Sequence, residues 1–337
     1  MAEGQLGNDE LARARDLIGR VNSIFSATVV GQDALRRAMV ASLLAGGHVL
    51  LESVPGLAKT TAAHTLASAI SGSFHRIQCT PDLMPNDIVG TQVFNYTTGE
   101  LTTQLGPVHA NLVLLDEINR SSAKTQSAML EAMQERQTTI GGQVYPVPAP
   151  FMVLATQNPI EEEGTYVLPE AQMDRFLVKE VLTYPSPEEE VLILDGIHNG
   201  TLAASGSNTR PAGAAAPISL EDVADLQRMT EQVWIHDSLK RYIVDIVNTT
   251  RGGGPRPVGK FAQDVRVGAS PRGAIALMRI GQALALMAGR NYLVPDDVVV
   301  MRHSVLRHRI IRTYDAIAQG VRVEQLIDAA FDAVPVP

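Results

Sequence analysis

Short apolar runs that alternate with helical patterns constrain this chain most, because they determine which kind of sheet it can form. The runs occupy residues 49–51, 112–115, 151–155 and 177–182, and each is typical of a strand buried on both faces. The intervening residues 60–71 and 123–136 carry apolar side chains at helical spacing. Strands that alternate with helices indicate a mostly parallel sheet covered by helices. The first half of the chain is therefore predicted to have an α/β fold.

A glycine-containing segment, residues 53–60, joins the first predicted strand to a predicted helix. This arrangement is typical of a phosphate-binding loop, in which backbone N–H groups and a helix N-terminus hold polyphosphate. We expect Lys59 to reach the β- and γ-phosphates of a nucleotide. We expect the hydroxyl of Thr60 to ligate Mg²⁺, which prefers octahedral oxygen coordination.

The segment matches the phosphate-loop pattern imperfectly. Ser53 and Ala58 occupy the two positions that are glycine in the pattern, and only Gly56 between them lacks a Cβ. A serine directly after a strand needs no positive φ if the chain stays extended, and its hydroxyl could donate to a phosphate. Taken alone, the segment is explained equally well by a chance turn before a helix.

Two carboxylates at the end of the second apolar run decide between these explanations. Asp116 and Glu117 directly follow residues 112–115. A buried strand gains nothing from two acids at its end unless they meet a cation or a water. We expect Asp116 to hold Mg²⁺ through its water shell and Glu117 to activate the attacking water as general base. The alternative, a solvated strand end, is disfavoured because both motifs occur in the expected order.

Three polar side chains further along the chain are candidates for contacts with the γ-phosphate. Asn158 follows the third apolar run and would bond the phosphate and the water, although an Asn before Pro is commonly a turn residue. Arg175 could neutralise charge on a transferring phosphoryl group, with a salt bridge to Asp174 or Glu170 as the alternative. Arg272 lies at a predicted helix start, where a basic residue is electrostatically unfavourable, and an anionic ligand would explain it.

Beyond residue 185 the strand-like runs stop and helical patterns take over. We predict a first domain over residues 1–185 and an all-helical second domain over residues 186–337, with a flexible loop near residues 202–217. The predicted helices of the second domain occupy residues 220–233, 237–250, 271–288 and 295–306. Within the first domain, residues 91–104 and 137–147 are predicted to form hairpins that project from the sheet.

Charge and composition exclude several classes of protein. The 337 residues carry a net charge of −8, which provides no electrostatic basis for binding a nucleic acid backbone. The sequence contains no apolar stretch long enough for a membrane span, and its first residues lack the apolar segment of a signal peptide. Cys79 is the one cysteine, so no disulfide can form within the chain, which fits a reducing compartment. We therefore predict a cytoplasmic protein that binds neither nucleic acid nor membrane.

Taken together, these segments resemble the MoxR family of AAA+ ATPases from about residue 29 to about residue 310. The resemblance is carried by residues 30–32, 46–52, 112–135, 157–161, 163–166, 168–176 and 270–272. It implies an AAA+ P-loop αβα core, with the hairpins as the helix-2 insert and the pre-sensor-1 hairpin, followed by an all-α lid. It also implies ATP and Mg²⁺ as ligands.

The resemblance assigns roles to individual residues. In the family's terms the metal ligands are Thr60 and Asp116, and the catalytic residues are Glu117 of Walker B, Asn158 as sensor 1, Arg175 as arginine finger and Arg272 as sensor 2. The implied nucleotide-binding residues are Val30, Gly31, Gln32, Ser53, Val54, Pro55, Gly56, Leu57, Ala58, Lys59, Thr60 and Thr61. Ser53 departs from the family's usual glycine.

The resemblance finally implies an assembly and a role. It implies a homo-oligomeric ring, commonly hexameric, with each site at a subunit boundary, and a partner that carries a von Willebrand factor A domain. It also implies a chaperone-like role in maturing protein complexes or inserting metals. Two alternatives stay open: a nucleotide-gated scaffold with little turnover, and a nucleic-acid motor, which the net charge disfavours.

Overall fold

Helices and strands alternate along the first part of the chain as the apolar runs predict. The computed structural model describes residues 6–54, 56–97, 99–159, 166, 168–200, 202, 215–253, 258 and 262–337. Up to residue 200 the elements are, in chain order, α1 (Asn8–Ser26), α2 (Asp33–Leu44), β1 (Val49–Glu52), α3 (Lys59–Ala69), β2 (Phe74–Gln78), α4 (Pro85–Val89), β3 (Gly90–Asn95), β4 (Glu100–Leu105), β5 (Leu112–Asp116), a 3₁₀ turn (Ile118–Arg120), α5 (Ala123–Glu135), β6 (Gln137–Ile140), β7 (Gln143–Pro146), β8 (Met152–Gln157), α6 (Glu170–Met173), β9 (Val178–Val181) and α7 (Pro187–His198). After residue 215 they are α8 (Leu220–Glu231), α9 (Asp237–Thr249), β10 (Val265–Val267), α10 (Pro271–Met287), α11 (Pro295–Val300), α12 (Arg302–Leu306), β11 (Ile311–Arg312), α13 (Tyr314–Ala318) and α14 (Val323–Ala333).

One parallel sheet forms the centre of the first half. In the described residues it contains five strands in the order β2, β5, β8, β1 and β9. The four predicted apolar strands are therefore confirmed as β1, β5, β8 and β9. The fifth, β2, was not predicted, because it lies at the edge of the sheet and Ile77 is its one buried residue. A mostly exposed strand leaves no apolar run in the sequence.

Successive side chains of the central strands face opposite sides of the sheet. Leu112 and Leu114 of β5 join a hydrophobic cluster that includes residues of α1, α2 and α3. Val113 and Leu115 join a second cluster with Met129 and other residues of α5. Because both faces of these strands are buried, nearly every residue in them is apolar. The sheet is thus the middle layer of an αβα arrangement.

Both predicted hairpins are confirmed. β3 and β4 pair antiparallel from Gly90 opposite Leu105 to Asn95 opposite Glu100. β6 and β7 pair in the same way, and their turn contains Gly141 and Gly142 at φ values of 58° and 81°. These left-handed conformations are ones that glycine adopts without a steric penalty.

In the part of the second half that the structure describes, the elements are helices and one short strand pair. The predicted helices are observed as α8, α9 and α10, whereas the fourth is divided at Met301 into α11 and α12. The lid also contains a short strand pair that the sequence did not predict, since β10 pairs antiparallel with β11. This pair is too short to leave an alternating pattern in the sequence. Residues 203–214 of the predicted loop lie outside the described residues, and the domain division at residue 185 stays a prediction.

The N-terminal helix contacts both halves of the chain. α1 packs against α3 and also against α8 and α10. Its Arg13 forms ion pairs of 2.9 and 2.8 Å with Asp222 and Asp225 at the lid surface. Over the part of the chain that is described, no helix is both long and apolar enough to cross a membrane.

Candidate nucleotide-binding site

The loop between β1 and α3 carries the residues predicted to hold phosphate. The chain turns at Gly56 with a φ of 86° and at Ala58 with a φ of 53°, so Ala58 adopts the left-handed conformation in spite of its Cβ. α3 begins at the next residue, Lys59, and Ala58 has no side-chain oxygen that could accept its first amide hydrogens. A Cβ placed on Gly56 would meet no atom within 4 Å. The loop therefore opens to solvent beside a helix N-terminus that an anion can cap.

The neighbouring loop residues anchor this turn. Leu57 is buried in the core, and Val54 is partly buried against the same cluster. Thr60 and Thr61 lie in the first turn of α3, where Thr60 is partly buried and Thr61 is exposed. Pro55 lies outside the described residues.

Ser53 is accommodated without backbone strain. It is 2% exposed, its φ is not positive, and its N–H donates to the Gln157 carbonyl at 3.2 Å, which continues the pairing of β1 with β8. Its hydroxyl donates to the Val54 carbonyl at 3.1 Å. The prediction that Ser53 needs no positive φ is confirmed, and the hydroxyl already has an acceptor within the loop.

Asp116 and Glu117 lie at the carboxyl end of β5. Asp116 is 9% exposed, and its Oδ1 accepts the hydroxyl hydrogen of Thr156 at 2.8 Å. The same Thr156 oxygen accepts the Glu117 N–H at 2.9 Å. Glu117 has a φ of 58°, so the chain leaves the strand direction at this residue. Thr156 of the adjacent β8 thus fixes both acids in one position.

Donors from outside β5 hold the two carboxylates. Arg76 Nη2 lies 2.6 Å from Asp116 Oδ2 in an ion pair. Gln78 Nε2 donates to Glu117 Oε2 at 2.8 Å, and Arg120 Nη1 lies 3.0 Å from the same oxygen. Both acids of the predicted site are therefore already paired with protein donors.

Asn158 directly follows β8 and is 7% exposed. Beside it, Gln157 Nε2 donates to Glu52 Oε2 at 2.7 Å, and Lys179 Nζ lies 2.6 Å from that oxygen. Burial raises the pKa of Glu52, but Lys179 and Gln157 outweigh it and leave the pKa below its ordinary value. These bonds join the ends of β1 and β8 to the Lys179 side chain of β9, at the edge of the sheet where Asn158 lies.

Residues 30–32 connect α1 to α2 and contact the start of the second half. Gly31 has a φ of 70°, and a Cβ there would come within 3.0 Å of the Glu189 side chain. Gln32 is 8% exposed and donates through Nε2 to the Thr183 carbonyl at 3.4 Å. Val30 lies partly buried beside them.

Arg175 follows α6 and lies against α5. Its Nη1 donates to the Leu130 carbonyl at 2.8 Å. The side chain borders a cavity of about 250 Å³ whose other lining residues come from α5 and Gln172. The alternative salt bridges are not formed, since Asp174 pairs with Arg309 and Glu170 pairs with Arg266.

Arg272 lies in the first turn of α10, with its side chain 51% exposed and Nη1 3.9 Å from Asp174 Oδ2. The same Asp174 oxygen accepts the hydroxyl hydrogen of Ser270 at 2.9 Å. Asp174 Oδ1 pairs with the buried Arg309 at 2.8 Å. Burial lowers the pKa of Arg309 to about 10, against the opposing effect of Asp174. Asp174, the residue before Arg175, is thus bonded to residues at the start of α10.

Comparisons with known proteins show the family to which this chain belongs. Residues 48–178 match the model of the ATPase family associated with various cellular activities (AAA), and residues 261–330 match the AAA lid domain. Chaperone MoxR1 of Mycobacterium tuberculosis is 45% identical over 309 residues, which cover 92% of this chain and 79% of the relative. The uncharacterized protein YeaC of Bacillus subtilis is 42% identical over 95% of both chains. A crystal structure of a candidate ATPase from Cytophaga hutchinsonii superposes with a TM-score of 0.87 at 39% identity and covers 98% of this chain and 97% of that one.

The chain belongs to the MoxR family of AAA+ ATPases. The matched AAA region contains the predicted MoxR site from Ser53 to Arg175, and the matched lid region contains Arg272. Residues 30–32 precede both matched regions. The fold predicted for the family, an αβα core with a helical lid, is confirmed.

Three side chains of this MoxR site are missing from the sequence prediction: Arg76, Gln78 and Thr156. Arg76 and Gln78 lie on the edge strand β2, which leaves no apolar run in the sequence, and each bonds to an acid about forty residues further along the chain. Thr156 directly follows the predicted apolar run of residues 151–155 and precedes Gln157 and Asn158. A polar residue directly after an apolar run was the available signal for Thr156, because a buried hydroxyl needs a partner.

Proposed function

We propose that this chain hydrolyses ATP with Mg²⁺ and uses the reaction to remodel or mature a protein complex. Membership of an ATPase family supports the general activity. The observation that carries the proposal is the position of Asp116 and Glu117 at the end of β5, on the sheet edge where the phosphate loop leaves β1. Parallel strands place their carboxyl ends on one edge, which is where ligands of such sheets bind.

The donors at this edge suit Mg²⁺. Thr60 offers a hydroxyl and Asp116 a carboxylate, which are hard oxygen donors of the kind magnesium prefers. Asp116 Oδ2 already accepts a guanidinium, so its surroundings tolerate a cation at that oxygen. When bound, Mg²⁺ would neutralise charge on the β- and γ-phosphates. Thr60 and Asp116 are the residues that would hold it.

The remaining residues divide the work of binding and proton transfer. Residues 53–61 would bind the phosphates through their amides and Lys59, and residues 30–32 would lie beside the adenine. Glu117 would accept the proton of the attacking water, and Asn158 would orient that water against the γ-phosphate. Arg272 would contact the γ-phosphate from the lid, and Arg175 would reach the nucleotide of a neighbouring subunit.

Two variants separate binding from catalysis. Lys59→Ala should abolish ATP binding, because it removes a charge that pairs with the phosphates. Glu117→Gln should retain binding and lose at least about 100-fold in turnover, because only the base is removed. Calorimetric titration with ATP and steady-state phosphate release measure the two effects. Hydrolysis by Glu117→Gln at the parental rate would show that Glu117 is not the base.

A nucleotide-gated scaffold is the second candidate, and one observation favours it. Both carboxylates of the site are engaged by protein donors, Asp116 by Arg76 and Glu117 by Gln78 and Arg120. Such pairing predicts slow basal turnover until the donors move. Phosphate release with and without a lysate of partner proteins distinguishes the candidates: turnover that stays negligible in both favours the scaffold.

The assembly and the client are further proposals. We propose a hexameric homo-oligomeric ring and a partner with a von Willebrand factor A domain, as the family resemblance implies. The name of the Mycobacterium tuberculosis relative supports a chaperone role. Affinity capture with the Glu117→Gln variant in ATP would identify the client, and sedimentation velocity with and without ATP would measure the ring. A monomer under both conditions would contradict the ring.

A further inference from the structure

Arg76 contacts the proposed metal ligand and, through Gln78, is joined to the proposed base. Its Nη2 and Nε approach Asp116 Oδ2 at 2.6 and 3.2 Å. Its Nη2 also donates to Gln78 Oε1 at 3.1 Å. The other end of that amide, Nε2, donates to Glu117 Oε2 at 2.8 Å. The four side chains therefore form one chain of hydrogen bonds.

The position of Arg76 on Asp116 is specific to one oxygen. Oδ1 of Asp116 accepts from Thr156, whose oxygen is in turn occupied by the Glu117 N–H. Oδ2 is the oxygen on which Arg76 lies. A carboxylate that is largely buried has few other directions from which a cation can approach. Arg76 and a metal's hydration shell would therefore require the same oxygen.

The link from Arg76 to Glu117 depends on the amide of Gln78. Arg76 and Gln78 are two residues apart on β2, so their side chains project from the same face. A side-chain amide has one accepting and one donating end. Because its Oε1 accepts from Arg76, its Nε2 is directed to Glu117. Loss of the Arg76 contact would remove the bond that fixes this orientation.

We propose that Arg76 is a positioning residue that competes with Mg²⁺ for Asp116 and couples metal binding to release of the base. The inference rests on the Mg²⁺–ATP function proposed above. In this structure Arg76 neutralises Asp116 and, through Gln78, restrains Glu117. Once Arg76 leaves Oδ2, Gln78 loses its fixed orientation and Glu117 loses one of its donors. The Arg76 side chain is 49% exposed, so solvent screens the pair and Arg76 can move into water.

The competition can be measured without hydrolysis by using Mn²⁺ as the probe. Free Mn²⁺ is followed by electron paramagnetic resonance during titration of the protein in a non-hydrolysable ATP analogue. Arg76→Gln should bind Mn²⁺ about fivefold more tightly than the parent, because the competing charge is gone. Arg76→Lys should bind with nearly parental affinity, since it retains a charge at Asp116.

Arg120→Gln is the matched control. It removes the same charge from the same cluster, but Arg120 pairs with Glu117 and not with Asp116. Its Mn²⁺ affinity should change by less than about twofold, as expected for a screened charge that makes no contact with the metal ligand. Circular dichroism of all variants verifies that each is folded.

A double-mutant cycle tests the link through Gln78. Gln78→Leu removes the acceptor that holds Nη2, so Arg76 should compete less well and Mn²⁺ affinity should rise by about twofold. The double variant with Arg76→Gln should bind no more tightly than Arg76→Gln alone. Additive effects would show that Gln78 does not act through Arg76, and the coupling to the base would be wrong.

The Mn²⁺ titrations distinguish a failure of this inference from a failure of the proposed function. If the parent binds Mn²⁺ with the analogue and Arg76→Gln binds it equally well, the inference is overturned and the proposed function stands. An equal gain in Arg120→Gln also overturns it, because the effect would then be one of net charge. If the parent binds no Mn²⁺ with the analogue, the proposed Mg²⁺–ATP site is wrong and the inference is wrong with it.

Discussion

Ser53 and Ala58 occupy equivalent glycine positions of the phosphate-loop pattern but differ in backbone conformation. Ser53 has no positive φ, and its buried hydroxyl has an acceptor in the Val54 carbonyl. Ala58 has a φ of 53°, where a Cβ costs about 1 kcal/mol relative to glycine. The two departures from the pattern therefore have different physical consequences.

Restoring glycine at Ser53 should change ATP affinity by less than tenfold, or about 1.4 kcal/mol, because no backbone strain is relieved there. Calorimetric titration with an ATP analogue measures the change. Ala58→Gly is the matched control and should raise the free energy of unfolding by roughly 0.5–1 kcal/mol. A gain in ATP affinity of tenfold or more in Ser53→Gly would contradict the extended-chain interpretation.

Local patterns predict only the part of the site that is local in the sequence. The phosphate loop and the acids Asp116 and Glu117 are contiguous with predicted strands, so position in the chain indicates their role. Arg76 and Gln78 act on acids that folding brings to them from β5, and no spacing rule connects segments that far apart. Pairing across neighbouring strands becomes visible only once the strand order is known.

At the scale of elements, burial decides which strands the sequence can predict. Strands such as β5 and β8 are covered on both faces and consist almost entirely of apolar residues. β2 lies at the edge and β10 pairs with the two-residue β11, so both lack that composition. The hairpin of β6 and β7 was predictable for a different reason, because the glycine pair Gly141 and Gly142 permits a tight turn.

His48 connects three elements at the start of β1. Its Nδ1 accepts the Val153 N–H of β8 at 3.0 Å, and its Nε2 lies 3.2 Å from the Met133 carbonyl of α5. Nδ1 must therefore be unprotonated, and Nε2 carries the hydrogen that it donates. Burial, assisted by the charge of Arg136, lowers the pKa of His48 to about 3.

The depressed pKa of His48 predicts a loss of stability in mild acid. The unfolded chain takes up a proton at about pH 6.5, whereas the folded chain does not until about pH 3. The unfolded state binds more protons in this window, so the free energy of unfolding falls as pH decreases, by up to about 1.4 kcal/mol per pH unit. Urea unfolding at pH 6 and pH 5 measures the slope.

His48→Gln provides the control for this pH dependence. Glutamine can accept from the Val153 N–H and donate to the Met133 carbonyl, but it does not titrate. The variant should be less stable than the parent at neutral pH and should lose about 1 kcal/mol less between pH 6 and pH 5. Equal slopes in the two proteins would show that His48 does not remain neutral in the folded state.

At the scale of the whole molecule, the segment that carries Arg175 is held between the sheet domain and the lid. Arg309 donates to the carbonyl oxygens of Phe176 and Leu177 at 2.6 and 3.1 Å, in addition to its pair with Asp174. Removing a buried charge partner of this kind is strongly destabilising, so the segment has little freedom to move alone. We therefore expect the backbone at Arg175 to keep its position relative to the lid.

Arg175→Ala should bind ATP almost normally and lose about 10³-fold or more in turnover, because an arginine finger acts on charge in the transition state. If the finger acts on a neighbour's nucleotide, mixing Arg175→Ala with Lys59→Ala subunits should recover part of the activity. Each variant should be inactive alone, and recovery requires an intact phosphate loop beside an intact finger. Steady-state phosphate release from the mixture measures it.

Arg120, which follows the two acids at the end of β5 in the chain, is a second candidate for the finger, and it provides the control. It pairs with Glu117 of its own chain at 3.0 Å, so Arg120→Ala should act within the subunit, and its mixture with Lys59→Ala should not recover activity. Subunit exchange in every mixture is verified by energy transfer between labelled chains. If rings exchange subunits and Arg175→Ala shows no recovery, the assignment of Arg175 across the boundary is wrong. If activity recovers in the mixture with Arg120→Ala and not in the mixture with Arg175→Ala, Arg120 is the finger. The ion pair between Arg120 and Glu117 would then have to open when a neighbouring subunit binds.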